Sequence, residues 1–474
     1  MTIDKVSIPK GSIKSIAIIG GGASGAVILD SLIKQQSFDE IVVFEKKNKL
    51  GGIWVVDEHK TKLDIRPGSK TSELDPSIEP PLGLRKGQEI TIPDNDESTN
   101  PIHSFTPSYR GMRTKTTECV MTFSDAKKWP KLDKPGFDNF TKGIYVQQYL
   151  EDYFNRHPNN IVLNTSVEKI VPNDGKYQLY LQKKNSDGTV TWSIKEFDTY
   201  IVATGAYHVP YIPDVPGLDE IYSRFPEKLE HSKSFGNTEQ DLLKYENKNV
   251  VIIGGRPSAS DIARFIEKRA NSIISSVRSP QRTFLWETEK IKIKPIIKEY
   301  KVYKDGFDVI FQDGSIVKNP DNLIYCTGYQ NSYPFLNDAS ITTGWIVPNL
   351  YQHIFSIKDP KITFLGLPLD GLNFRCIEYQ SILISRYLAG LVELPSREQQ
   401  LQWCNERFAK FGDSRLYHTI GMKEAIPFSK TLTEIGGGVQ NGPGKLFPIL
   451  TEQDTEENEK DKLIFKLDHY LFDN

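Results

Sequence analysis

The stretch IAIIGGGASGAVILDSLIKQQSFDEIVVFE, residues 16–45, decides the fold. Four apolar residues, Ile16 to Ile19, suit a strand buried on both faces of a parallel sheet. Gly20, Gly22 and Gly25 follow at G-x-G-x-x-G spacing, with Ala23 and Ser24 inside the turn. A helix pattern runs through Val27, Ile28, Leu32 and Ile33, and a second apolar run, Ile41 to Phe44, ends in Glu45. Gly20 allows the tight turn, Gly22 lets backbone N–H groups approach a pyrophosphate, and Gly25 lets helix and strand pack closely. The helix start offers unpaired N–H groups and a partial positive charge to phosphates. Glu45, with Lys46 beside it, is placed to accept hydrogen bonds from a ribose diol. Strand, helix, second strand and terminal acid in this order predict a dinucleotide cradle in an α/β protein.

The rest of the chain sets the bounds. Its 474 residues can bury a large core and predict two or more domains. With 38% hydrophobic and 25% charged residues the composition is that of an ordinary globular protein. A net charge of −2 gives no reason to expect nucleic acid or an anionic membrane as partner. No run approaches the ~18 apolar residues needed to span a bilayer, and the start MTIDKVSIPKGS has no apolar signal region. Cys119, Cys326, Cys376 and Cys404 form no CxxC pair, metal spacing or disulfide framework. The expectation is a cytoplasmic protein without a metal centre.

Past the second strand, Leu50-Gly51-Gly52-Ile53-Trp54 is either a plain turn or a place where Gly52, Ile53 and Trp54 pass close to a bound cofactor. Residues 57–108 are rich in proline and charge and lack periodicity, which predicts a long excursion, a lid or an inert surface loop. Residues 144–154 predict a helix with one buried face; 161–171, 177–183 and 190–197 predict strands, the last two joined across a turn containing Asp187-Gly188. Tyr200 to Ala203 predicts another buried strand, ending in Thr204-Gly205, where the glycine would let backbone crowd a ligand.

A second cradle opens at Val250 with VVIIGGRPSASDIARFIEKRANSIISSVRS. Its turn reads Gly254-Gly255-Arg256-Pro257-Ser258-Ala259, so arginine stands at the second glycine position of the pattern. The following strand ends at Arg278 without an acid. That guanidinium either suits a ribose 2′-phosphate, favouring NADPH over NADH, or is a solvated surface charge. Leu323 to Cys326 then echoes the earlier strand and ends in Thr327-Gly328. Two strand–Thr–Gly endings predict a nucleotide domain, 211–326, inserted into a discontinuous one, 12–210 and 327–450, with an acidic tail over 451–474.

These motifs resemble the flavin-containing monooxygenases, the fungal thiol-oxidising branch in particular, from about Ser15 to Phe411. The matching pieces are GGGASG, GGIW at 51–54, IVATGAYHVP at 201–210, CTGYQNSYPFL at 326–336, and Phe225-x5-His231-x3-Phe235, which looks like the family fingerprint with Glu227 in place of its glycine. Leu365-Gly366-Leu367-Pro368 and Glu378-x-Gln380 look like its C-terminal pattern, and Phe235-Gly236 stands where Baeyer–Villiger enzymes have Trp-Pro. The resemblance implies two Rossmann-like domains, the NADPH domain inserted into the FAD domain. It also implies a monooxygenase in which NADPH reduces FAD, O2 adds, and a flavin hydroperoxide oxygenates a soft nucleophile such as a thiol, sulfide or amine. Small-molecule substrate and O2 are the implied partners, and a homodimer is compatible with it.

Two departures bear on that implication. Lys115 stands where the family has an asparagine near the flavin. A cation about 4 Å from developing negative charge is worth roughly 4 kcal/mol at an effective dielectric of 20. Lys115 would then stabilise reduced flavin or a peroxide, hasten peroxide loss, or simply face solvent. Arg256 should push a pyrophosphate outward and weaken or alter NADPH binding, unless its guanidinium binds a phosphate. The alternatives are an NADPH oxidase or flavoenzyme of altered chemistry, and a flavin-binding protein without turnover. His231 reads as a residue linking the two domains rather than an acid–base catalyst.

Overall fold

The computed structural model describes residues 4–94, 100–126, 128–129, 140–338, 340–368, 370, 373–438 and 443–456. The opening motif folds as its apolar pattern dictates: strand β1 (Ser15–Ile19), helix α1 (Ala23–Gln35) and strand β2 (Glu40–Phe44). β1 lies in the interior of a seven-stranded sheet, parallel to β2 (Ile19 opposite Phe44) and to Thr199–Val202 (Ile19 opposite Val202). Ile16, Ala17 and Ile18 are wholly buried, as a strand covered on both faces requires. α1 shares a core with the helix Asn373–Leu388, and each fully buried Leu or Ile there contributes about 1.5–3 kcal/mol.

The second motif repeats this plan. Asn249–Ile253 and Ser272–Ser276, joined by the helix Pro257–Glu267, belong to a five-stranded parallel sheet. Its order is Leu229–His231, Asn322–Tyr325, Asn249–Ile253, Ser272–Ser276 and Ile291–Lys294. The chain leaves the first unit through Val209–Pro210 and re-enters through Tyr329–Gln330. These two crossings pair antiparallel, Tyr329 opposite Pro210. The protein is thus an α/β fold of two Rossmann-like units, one inserted into the other.

The 57–108 excursion is more ordered than its sequence suggests. Glu89–Pro93 adds an edge strand to the antiparallel sheet made with Thr165–Asn173, Lys176–Lys184 and Thr189–Phe197. Pro93 is tolerated because it ends an edge strand. Leu63, Ile65, Ile102 and Phe105 are buried in the core cluster of the inserted unit, so four apolar side chains at two places anchor the segment. Most of the expected tail, 457–474, lies outside the described residues. Among the described residues no helix is long and apolar enough to cross a membrane.

Candidate functional site

The first glycine turn leaves no room for a side chain at Gly20 or Gly25. Gly20 has φ +116°, and a Cβ there would lie 2.6 Å from the Ala203 carbonyl oxygen. A Cβ on Gly25 would lie 2.0 Å from the Gly20 carbonyl oxygen. Gly22 is different: its Cβ would meet only Gly52, at an ordinary 3.5 Å. Gly22 and Gly52 therefore face each other as two bare backbones, as a cofactor-embracing turn needs. Gly22 also caps α1 without a side-chain hydrogen bond, which leaves the first-turn N–H groups without a capping side chain. Beside the turn, the Ser24 hydroxyl abuts Gly366, and Ala23 packs at the edge of the core.

Glu45 is buried and already engaged. One carboxylate oxygen accepts from the Gly21 N–H at 2.6 Å, the other from the Lys47 N–H at 2.8 Å. A carboxylate has about four lone-pair sites, so a ribose diol can still be received. Lys46 points toward the excursion: its ammonium donates to His103 Nδ1 at 2.8 Å, and His103 Nε2 donates to Asp75 at 2.7 Å. Burial, then the nearby Lys46 charge, pushes His103 down to about 4. The Ile53 carbonyl accepts from Ser108, and the Trp54 ring covers Gly143. Gly205 and Gly328 both take positive φ, +73° and +87°. The Thr327 hydroxyl donates to the Tyr211 carbonyl.

Two buried polar groups around this turn lack partners among the described residues, the Thr204 hydroxyl and the Gln380 side-chain N–H2. Gln380 Oε1 accepts from the Gly366 N–H at 3.3 Å, which puts the amide beside Ser24. A buried unsatisfied donor costs about 1–3 kcal/mol, so such groups point to something that fills the cradle.

The second turn is built likewise. Gly254 has φ +135°, and its Cβ would lie 2.4 Å from the Cys326 carbonyl oxygen. Arg256 caps the helix Pro257–Glu267 in extended conformation at φ −98°, and Ser258 sits in its first turn. The Arg256 guanidinium does not lie over the turn but is paired with Asp370. Arg278 lines an open cleft of about 640 Å³ at the ends of Ser272–Ser276 and Ile291–Lys294. Lys294 lines it too, a second cation that strand periodicity gave no reason to single out.

Between the cradles lies a buried bridge. Lys115 Nζ is 2.5 Å from Asp261 Oδ1, and the Tyr109 hydroxyl donates to Asp261 Oδ2 at 2.5 Å. Asp261 belongs to the helix Pro257–Glu267, whereas the segment before Lys115 is tied through Ser108 to the Ile53 carbonyl. Lys115 is therefore not an open cation. Burial lowers its pKa against the opposing pull of Asp261. An acid on the apolar face of a helix, between Ser260 and Ile262, was the one sequence signal for its partner. His231 Nε2 donates to the Gly328 carbonyl and its Nδ1 accepts from the Lys233 N–H. Burial pushes it to about 3, so it is a neutral link between the units.

Comparison with known proteins agrees with this architecture. Residues 87–303 match the family model described as pyridine nucleotide-disulphide oxidoreductase, and residues 280–435 match flavin-binding monooxygenase-like. The chain is 29% identical over 470 residues to the flavin-containing monooxygenase FMO GS-OX5 of Arabidopsis thaliana, covering 93% of this chain and 90% of that protein. It is 26% identical over 458 residues to flavin-containing monooxygenase ustF2 of Aspergillus flavus, covering 85% and 88%. Among solved structures, S-allyl-L-cysteine S-oxygenase from Allium sativum is similar in fold, with TM-score 0.73, 23% identity and coverage of 96% and 95%. Two glycine cradles, their inserted topology and these matches make the chain similar to the flavin-containing monooxygenases, a family of flavoenzymes that use FAD and NADPH.

Proposed function

We propose that the chain transfers one oxygen atom of O2 to a soft nucleophile, a thiol, sulfide or amine, while NADPH is oxidised and the second oxygen leaves as water. The observation that carries this reading is the pair of glycine turns, Gly20–Gly25 and Gly254–Ala259, joined through Tyr109, Lys115 and Asp261. The first turn fits FAD. Its helix start has no side-chain cap, Gly22 and Gly52 leave backbone exposed, Glu45 keeps spare acceptor capacity, and Thr204 and Gln380 hold unpaired polar groups. The second fits NADPH, with Gly254, Ser258, Arg256 and the Arg278 cleft around it. When bound, these groups supply hydride transfer and oxygen activation.

The chain's own residues hold, orient and shield. We assign FAD to Gly20, Gly22, Ala23, Ser24, Gly25, Glu45, Gly52, Ile53, Trp54, Thr204, Gly205, Thr327 and Gly328. Lys46 supports this site from behind, through His103 and the excursion. The partner of Lys115 bears on the oxidase alternative. A cation matched by a carboxylate at 2.5 Å puts little net charge on a neighbouring redox ring, which favours oxygen transfer over peroxide release. The four cysteines are scattered along the chain and none of them is in a disulfide, which disfavours a disulfide reductase. The test is to measure NADPH consumed, H2O2 released and oxygenated product with a panel of thiols, sulfides and amines. Product matching NADPH supports the proposal, H2O2 matching NADPH supports the oxidase, and no NADPH consumption overturns both.

Breaking the bridge should cost stability. Lys115→Met leaves the Asp261 carboxylate buried without its cation, and removing one partner of a buried pair costs about 3–5 kcal/mol. Lys115→Met is therefore expected to melt well below the wild type, and the double variant Lys115→Met/Asp261→Asn to recover much of the loss. Equal melting of Lys115→Met and wild type would show that the bridge is dispensable.

A further inference from the structure

We propose that Asp370 is a placeholder anion, holding two arginines across the mouth of the second cradle until a diphosphate displaces it. The inference rests on the NADPH reading above. Arg256 follows the strand Asn249–Ile253, and Arg415 sits over the backbone that follows the neighbouring strand Asn322–Tyr325. One Arg415 guanidinium nitrogen is 3.8 Å from where a Gly328 Cβ would be. These two strands pair side by side, Ile253 opposite Tyr325. Sheet order runs outward from them in both directions, so the crevice between their carboxyl ends is the topological switch point, where open α/β sheets receive ligands. The two arginines thus straddle that crevice.

Asp370 joins them. Arg256 Nη2 pairs with one of its carboxylate oxygens, and Arg415 Nη2 lies 3.8 Å from the other. Asp370 adopts φ +55°, a left-handed conformation in the segment that follows Thr363–Phe364 in the other unit. All three side chains are about two-fifths exposed, 40% for Arg256, 37% for Asp370 and 38% for Arg415. Exposed pairs of this kind are weak and exchange readily. Two guanidinium groups on one carboxylate leave one positive charge over, whereas a diphosphate brings two negative charges and fork-shaped acceptors. Arg256 at the second glycine position then becomes a clamp, with Arg415 as its second jaw, and Asp370 competes with the ligand.

The test is equilibrium titration of the FAD-loaded enzyme with NADP+, followed through the flavin spectrum, with adenosine 2′-monophosphate as a probe lacking the diphosphate. Asp370→Asn should tighten NADP+ roughly threefold, the scale of one released exposed ion pair, and leave the monophosphate unchanged. Arg256→Gln and Arg415→Gln should each weaken NADP+ about tenfold or more, as for a lost hydrogen bond to a charged group. In Asp370→Asn/Arg256→Gln the tightening should shrink. Unchanged or weaker NADP+ binding in Asp370→Asn overturns the inference, as does equal tightening of the monophosphate. The wild-type titration answers for the dinucleotide reading, and the ratio of variant to wild type answers for the clamp.

Discussion

Gly25→Ala is expected to purify colourless and to melt far below the wild type, whereas Gly22→Ala is expected to be colourless but to keep the stability of wild-type apoprotein. The two glycines lie in one turn and fail for different reasons. A methyl on Gly25 would sit 2.0 Å from the Gly20 carbonyl oxygen, a distance no Cβ tolerates. Gly20 cannot retreat, because its own Cβ position is 2.6 Å from Ala203. Relief has to come from moving α1 off the sheet, and overpacking of this sort costs about 1–3 kcal/mol or more. FAD retention would fall with it, since the helix start moves away from the phosphates and the stabilisation from binding is lost. A methyl on Gly22 would meet protein only at 3.5 Å from Gly52. The protein accommodates it, and the only thing it can displace is what lies between the two bare backbones. Flavin absorbance per protein and thermal melting of apoprotein separate the effects. Full flavin content in Gly22→Ala would mean that FAD does not pass between Gly22 and Gly52.

That contrast also shows which information is local. Glycine spacing, apolar runs and the acid at the end of β2 are written within about 30 consecutive residues, the span of one βαβ unit, so both cradles are legible in the amino-acid order alone. Their rules are steric, and each residue type has one use in such a turn. The hairpin around Asp187-Gly188 is legible for the same reason: Gly188 takes φ +78° and Asp187 accepts from the Thr189 N–H. What escapes depends on distant partners. Glu89–Pro93 reads as loop because its alternation is short and ends in proline; it becomes a strand only by pairing with Thr189–Phe197. Lys115 reads as an open charge because its carboxylate is 146 residues away. Arg256 reads as an obstruction, but its side chain finds Asp370, 114 residues on. Lys46 reads as a ribose neighbour, although its ammonium turns to His103 in the excursion. Sequence pattern dictates backbone shape well, but the direction a long charged side chain takes is decided by whichever opposite charge the fold delivers.

The same limit governs the preference for NADPH, where the second large effect is expected. Arg278→Gln/Lys294→Gln should lower kcat/KM for NADPH by roughly 10² or more and leave that for NADH nearly unchanged. Both cations line the cleft of about 640 Å³ beyond the strand Ser272–Ser276. In the proposed seating of NADPH on the second turn, the ribose falls here, one strand over from the glycines. Glu287 lines the same cleft, but its carboxylate already accepts from the Ile293 N–H at 3.0 Å. The cleft therefore offers a 2′-phosphate two cationic donors, whereas a 2′-hydroxyl could draw only on the spare acceptor capacity of Glu287. A hydrogen bond to a charged group contributes about 1.5–3 kcal/mol, which is roughly 10- to 100-fold per contact. Removing two such contacts should approach the product of the single effects if they act independently. The NADPH loss should also shrink as salt rises, because part of it is screened charge attraction. NADH lacks the phosphate and is the internal control: its kcat/KM reports damage to fold or hydride geometry alone. Equal losses with NADPH and NADH would mean that the cleft is not the 2′-phosphate site and that Arg278 is a surface charge after all.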